Sequence, residues 1–309
     1  MKTKKKKILI LGGKGFIGKN LVCKLNLPNY IINDVDRNSC NLLEESNIDS
    51  ILNNYKPNVI INCAGIIGSS LDNKQKNQLD ILNNNIKITT NILNSIKKSL
   101  SVEHVIFFSS YRCLSNFNNM ENKILNLFDI NKLYENNNSG YLLSKMVLEV
   151  QLKLFLKTSS IKINNIYLPN IFGEHDYFHE YSRIVPSLIY QIHSLKQNNI
   201  SILEKQCPSN LLISLLFMED LIPVIENIIT NQISKLDIVI TNPEHEITIN
   251  ELINLIIPKV FPQLKVVFNS DEHIDEKFSF ESFLFPEKIN FTPLTKSLDK
   301  TIKFYLDQL

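Results

Sequence analysis

A chain of 309 residues, 44% hydrophobic and 21% charged, can bury a sizeable core and suits one nucleotide-binding domain with a smaller one appended. Its formal net charge of +2, with basic residues gathered mainly at Lys2 and Lys4 to Lys7, excludes a strongly basic nucleic-acid surface. No apolar run approaches the ~20 residues that cross a bilayer.

Five cysteines, Cys23, Cys40, Cys63, Cys113 and Cys207, are odd in number and scattered, with no C-x-x-C. That usage fits a reducing cytosol and argues against a disulfide framework or a structural zinc site. The apolar residues after the lysines end in glycines too soon for a secretory h-region, so a cytoplasmic protein is expected.

Ile8 to Leu11 reads as a buried strand that stops at Gly12, and Phe16, Ile17, Leu21 and Val22 then recur with the spacing of a helix packed on a sheet. Gly12, Gly15 and Gly18 fall at G-x-x-G-x-x-G. The first permits a tight turn, the second lets backbone N–H groups approach a pyrophosphate at the positive helix end, and the third lets helix and strand pack closely. A dinucleotide is therefore expected on Gly12 to Gly18, against the helix-start residues Phe16 and Ile17. Tyr30 to Asp34 closes the unit as a second strand.

Leu42 to Asn54 reads as a helix, Val59 to Asn62 as a third strand leading into Cys63-Ala64-Gly65, and Gly68 to Gln78 as a polar loop. A helix over Leu79 to Leu100 precedes a fourth strand, His104 to Phe108, which ends at Ser109 and Ser110. This alternation implies an α/β fold, a Rossmann-type doubly wound parallel sheet whose ligands gather at the carboxyl ends of its strands.

Tyr111 to Gly140 reads as an Asn-rich loop covering the cleft. A long helix from Tyr141 to Lys157 and a fifth strand, Ile161 to Leu168, follow. Pro169 to Gly173 breaks the pattern. Beyond it, a helix over Ile184 to Lys196, the segment Leu211 to Met218, a helix from Asp220 and a closing helix from Leu294 to Leu309 alternate less regularly. Residues 1–168 are thus expected to form the nucleotide domain. Residues 169–309 are expected to form mainly a smaller α/β substrate lobe, with some segments returning to the sheet.

Tyr141 and Lys145 lie four apart at a helix start and share a face. An ammonium beside a phenol favours the phenolate, so Tyr141 can protonate a carbonyl oxygen while a nicotinamide supplies hydride. Ser109, at a strand end, is placed to hold that oxygen by a hydrogen bond. His104, His193, His245 and His273 have no metal-ligand spacing, and no metal site is expected. Asp271 to Lys277 reads as a solvated loop, and Phe278, Phe280, Phe283 and Phe285 alternate like a packed edge.

Over nearly its whole length the chain resembles the extended short-chain dehydrogenase/reductases that act on nucleotide sugars, and within them the GDP-L-fucose synthase group of 4-keto-6-deoxy sugar epimerase/reductases. The likeness is carried by Gly12 to Gly18, Asn62-Cys63-Ala64-Gly65, Asn85, Ser109-Ser110, Tyr141 to Lys145, the run Pro169 to His179, and Phe291-Thr292-Pro293-Leu294. The resemblance implies Ser109, Tyr141 and Lys145 as catalytic residues. It implies Ala64, Gly65 and Lys145 on the cofactor, and Asn85, Ser110, Tyr111, Asn170, His179 and Arg183 on a nucleotide-sugar substrate. A homodimer through the helices around 80–100 and 141–157 is likewise implied.

Three positions depart from the pattern. Tyr111 stands where the group has the cysteine of its epimerisation step, as in reductases that only reduce. Arg183, three residues before Pro186, stands where it has a histidine, and Ile213 where it has a phosphate-binding arginine. Arginine stays protonated, so Arg183 cannot exchange a proton with carbon. Cys113, His175 and His179 are the remaining alternatives for that step. For the cofactor, Asp34 ends the second strand where a carboxylate binds the ribose of NAD, while Lys14 and Arg37 are placed to attract a 2′-phosphate. Lys14 and Arg37 match basic positions of the group the chain resembles, and the resemblance thereby implies NADP(H) over NAD(H). A bifunctional epimerase/reductase, an NAD-bound epimerase or dehydratase, and a non-catalytic nucleotide binder remain as alternatives to a C4 reductase.

Overall fold

The computed structural model describes residues 5–67, 77–113, 139–270 and 289–309. The chain packs as two units, Met1–Tyr167 with Ile222–Val239, and Leu168–Leu221 with Ile240–Leu309. In the first half the order is β1 (Lys6–Leu11), α1 (Phe16–Lys24), β2 (Tyr30–Val35), α2 (Glu45–Tyr55), β3 (Val59–Asn62), α3 (Gln78–Lys98), β4 (His104–Ser110), α4 (Ser139–Leu156) and β5 (Lys162–Leu168). There follow β6 (Asn170–Phe172), α5 (Ile184–Gln197), β7 (Ile202–Lys205), β8 (Leu212–Phe217), α6 (Met218–Thr230), β9 (Asp237–Val239), β10 (Glu246–Thr248), α7 (Ile249–Val260), β11 (Lys265–Phe268) and α8 (Leu294–Leu306).

The first unit is built on a six-stranded sheet of order β2-β1-β3-β4-β5-β9. β1 runs parallel to β2 and β3, β3 to β4, and β5 to β9. Near-continuous apolar strands such as Ile8 to Leu11, each fully buried, are what a sheet covered on both faces requires. Leu11 pairs with Val35 and with Asn62, and Asn62 pairs with Phe107. That register brings Gly12, Asp36, Cys63 and Phe108 to the same edge of the sheet.

The second unit holds a three-stranded sheet, β10-β8-β6, and the parallel pair β11-β7. Leu188, Ile192, Leu215, Phe217, Leu252, Ile256, Leu298 and Ile302 pack as its core. One face of the closing helix, Leu298, Ile302 and Tyr305, is buried there.

Several elements differ from the sequence expectations. α2 starts at Glu45 rather than Leu42, because the Asn41 side chain and carbonyl accept the Leu43 and Glu44 amides and hold a turn. α4 starts two residues before Tyr141, and α7 was not foreseen. Its signal is a Thr248/Glu251 capping box, in which Thr248 Oγ1 accepts from Glu251 N at 3.1 Å while Glu251 Oε2 accepts from Thr248 N at 2.7 Å. The expected loops around 68–76 and 114–138, the charge run from Asp271 and the four alternating phenylalanines lie outside the described residues. Among the described residues no helix is long and apolar enough to cross a membrane.

Candidate functional site

β1 delivers the chain to Gly12, which turns with φ +82° while the Gly12 and Gly13 amides both donate to Val35 O, at 2.8 and 3.0 Å. A Cβ on Gly12 would stand 2.9 Å from Ala64 N, and one on Gly18 would collide with the Gly12 carbonyl. The turn therefore needs both glycines. Gly15 is the N-cap of α1, with no side chain capping the helix, and a Cβ there would meet only Gly12 O at 3.3 Å. An uncapped helix start under open space presents first-turn amides and the positive end of a helix dipole, which suit a diphosphate. A dinucleotide fits this turn.

Beside the turn three charges meet. The Asp34 carboxylate lies where a Cβ on Gly13 would fall, so it sits directly on the glycine backbone. Lys14 forms an ion pair with Asp36 Oδ2, and that contact raises the Lys14 ammonium and lowers the Asp36 carboxyl from their ordinary ranges. Asp36 Oδ1 accepts from Ser39 N and Ser39 Oγ, each at 2.9 Å, and from Asn38 N at 3.1 Å. Arg37 is exposed. Lys14, expected to face a ligand phosphate, is instead paired with Asp36.

At the ends of β3 and β4 the amide of Asn85 accepts from Ile66 N at 2.8 Å and donates to Ile66 O at 3.0 Å and Ser144 Oγ at 3.2 Å. Ser144 Oγ in turn donates to Tyr141 O at 2.6 Å. Lys145 Nζ donates to Phe108 O at 2.8 Å and stands 5.6 Å from the Tyr141 ring centroid. A Cβ on Gly65 would lie 4.0 Å from Nζ. Burial pushes the Lys145 ammonium down to about 8, against an opposing pull from Cys113. Gly65, Asn85, Tyr141 and Lys145 are thus neighbours.

Ser109 Oγ is buried and lies against the Cys113 thiol. Ser110 Oγ accepts from Arg112 N at 3.3 Å, and Tyr111 is buried in the short turn that follows. Burial pushes the Cys113 thiol up to about 12, and it lies 3.8 Å from Leu142 O. Burial thus disfavours the thiolate, the form that would act as a base.

In the second unit Asn170 Nδ2 donates to Ser214 O at 3.1 Å, which ties β6 to β8. Arg183, the N-cap residue of α5, pairs with Asp176 Oδ1, which also accepts from Tyr177 N at 2.9 Å. The Asp176 side chain is 1% exposed and the Arg183 side chain 29%. Tyr305 OH donates to Gly173 O at 3.0 Å and accepts from Asp176 N at 3.1 Å, fixing this turn to α8. His179 Nδ1 accepts from Tyr181 N at 3.1 Å, so any proton on its ring is at Nε2. Ile213 is buried in the core, so no phosphate-binding group replaces the missing arginine there.

Sequence reasoning missed Asp36 and Ser144, and it missed the contacts that Asp176 makes with Arg183 and Tyr305. Only Asp36 left a local sign, an Asp-x-x-Ser spacing with Ser39 that favours a side-chain-closed turn.

The chain is 28% identical over 193 residues to GDP-L-colitose synthase of Yersinia pseudotuberculosis, a match covering 60% of each. It thus spans 60% of that relative's length. A GDP-L-fucose synthetase from Naegleria fowleri, solved also with NADP, superposes with a TM-score of 0.77 at 18% identity for the bound form, covering 99% of this chain and 94% of that one. A GDP-6-OMe-4-keto-L-xylo-heptose reductase from C. jejuni superposes with a TM-score of 0.79 at 17% identity, covering 99% of both. The model of the NAD dependent epimerase/dehydratase family matches residues 8–239, from the first strand to the last strand of the sheet, and the chain belongs to that family.

Proposed function

We propose that this protein reduces a nucleotide-linked 4-keto-6-deoxy hexose at C4, using NADP(H), in nucleotide-sugar biosynthesis. The observation that carries the reading is the Lys145 ammonium held between the Phe108 carbonyl and the Tyr141 ring, at the strand end that carries Ser109. When bound, the dihydronicotinamide supplies a hydride to C4. Ser109 donates a hydrogen bond to the carbonyl oxygen as charge develops on it, and Tyr141 gives that oxygen its proton. Lys145 favours the phenolate left behind and holds the nicotinamide ribose. Asn85 keeps Ser144, and through it the start of α4, in place. Gly12 to Gly18 carry the diphosphate, with Ala64 and Gly65 beside them.

The first unit takes the dinucleotide. Asn170, His179 and Arg183 belong to the second and are assigned to the sugar nucleotide, while Ser110 and Tyr111 belong to the first. NADP(H) is favoured because Lys14 and Arg37 flank the turn, and the solved relative carries NADP. Epimerisation is not part of the reading: Tyr111 is buried, Cys113 is neutral, and Arg183 is a permanent cation paired with Asp176. A homodimer is supported by Val150 and Leu154, apolar and exposed on one face of α4.

GDP-, UDP- and dTDP-linked 4-keto sugars, made in situ by dehydratases, test the proposal through NADPH absorbance. Stoichiometric NADPH loss with one of them is expected. Sugar conversion without net NADPH oxidation would establish an epimerase or dehydratase instead.

A further inference from the structure

Tyr141, Lys145, Glu149 and Lys153 follow one another at intervals of four along α4, so the helix face that carries the two groups assigned to the chemistry continues into an anion and a second cation. That face meets the sheet at Tyr167 of β5, a fully buried residue whose hydroxyl lies 3.0 Å from Glu149 Oε2 and 3.2 Å from Asp237 Oδ1 of β9. A phenol has one proton and donates it to one acceptor at a time, so it cannot satisfy two ionised carboxylates. Glu149 keeps its charge, because its other oxygen holds the Lys153 ammonium. Burial and then the Glu149 charge raise the Asp237 carboxyl, with Lys153 opposing, while burial and the same two carboxylates push the Tyr167 phenol up. Two further groups face the cluster. The Cys113 thiol, just after β4, feels Lys145 and Glu149 with opposite signs, and the uncharged Asn165 lies opposite Asp237 in the register of β5 and β9.

We propose that Asp237 stays protonated near neutral pH and donates to the Tyr167 oxygen while Tyr167 donates to Glu149, a relay of two hydrogen bonds that makes Asp237 and Tyr167 positioning residues for Tyr141 and Lys145. The inference rests on the reading of Tyr141 and Lys145 as the groups that serve the carbonyl. With the relay complete, each hydroxyl proton has an acceptor, and α4 is fixed to β5 and β9 one turn beyond Lys145. An ionised Asp237 instead turns an oxygen without a proton towards the phenol oxygen. That repulsion is relieved by moving α4, and the movement carries Tyr141 and Lys145 with it.

Infrared difference spectra near neutral pH compare the unaltered protein with Asp237→Asn, each with and without carbon-13 in its aspartate carboxyls. A protonated-carboxyl stretch is expected that only the unaltered protein shows and that shifts with the label. No such band, or a band that the label leaves in place, would overturn the inference. Turnover separates positioning from mere support of the fold. Tyr167→Phe, assayed at a temperature where it is folded, is expected to lower kcat about ten- to hundredfold, the cost of a small misplacement of catalytic groups, with KM for the nucleotide sugar changed less than about threefold. Asp237→Asn still offers the Tyr167 oxygen a donor and is expected to keep at least about a third of kcat, whereas Asp237→Leu, which offers none, is expected to lose about tenfold. A Tyr167→Phe protein with a lowered denaturant midpoint but an unchanged kcat would overturn the positioning role. Absence of turnover by the unaltered protein with every sugar offered would overturn the underlying reading and the positioning role with it, while the infrared band decides the place of the proton by itself.

Discussion

The Lys145 ammonium donates to the Phe108 carbonyl at 2.8 Å and stands 5.6 Å from the Tyr141 ring, so one cation serves both the end of β4 and the start of α4. Losing the phenol proton while keeping the ring separates chemistry from packing. Tyr141→Phe is expected to lower kcat by about a hundred- to ten-thousand-fold, the usual worth of a positioned general acid. The melting temperature should hold within a few degrees. An unchanged kcat in steady-state assays would remove Tyr141 from the mechanism.

Lys145 also sets a pH dependence. Burial brings its ammonium down to about 8, so the cation is lost as pH rises through that value. Its folded value lies below its unfolded one, so its cost to folding is fully present below about pH 8 and is relieved as pH rises towards the unfolded value. Reduction should therefore slow above about pH 8 although the protein becomes no less stable from this source. Profiles of kcat/KM and of denaturant midpoint over the same buffers check the opposite trends, and Lys145→Met should flatten the stability difference.

The reading of Gly12 to Gly18 was available from the sequence because a strand, a glycine turn and a helix are contiguous there. The Tyr141/Lys145 face was available because helical spacing is local. Ser109 needed only the end of an apolar strand. Asp176 and Arg183 lie seven residues apart in irregular chain, and no period relates them; the turn that carries Asp176 is tied to Tyr305, more than a hundred residues later. α7 carried a readable capping box, but an apolar run with Pro258 inside it obscured the helix. Ser144 was hidden because a serine in a helix gives no sign of which carbonyl or amide it meets.

Arg183 and Asp176 should respond asymmetrically to substitution. Arg183→Gln strands a buried carboxylate and is expected to cost about 3–5 kcal/mol near neutral pH, as broken buried pairs do. Burial already raises the Asp176 carboxyl, and without Arg183 it would rise further. A group raised on folding favours the native state at low pH and loses that contribution as pH climbs through its folded value. The variant should thus lose stability from about pH 4 upward, and adding Asp176→Asn should restore most of it. Chemical denaturation at several pH values reads both effects.

The two glycine sites should also separate stability from binding. Gly18→Ala drives a Cβ into the Gly12 carbonyl, a backbone atom, and is expected to cost about 1–3 kcal/mol as well as dinucleotide affinity. Gly15→Ala meets one atom at 3.3 Å and should leave the denaturant midpoint nearly unchanged while weakening NADPH binding at least tenfold. Paired denaturation and fluorescence titrations distinguish them.

Transfer of deuterium from NADPH labelled at the reduced nicotinamide carbon is the most direct measurement of the central claim. With the accepted nucleotide-linked 4-keto sugar, NMR of the product is predicted to show the label at C4, one equivalent per NADPH consumed, and no solvent deuterium at C3 or C5 when the reaction is run in heavy water. A product that carries no cofactor-derived label at C4, from any of the nucleotide sugars offered, would contradict it.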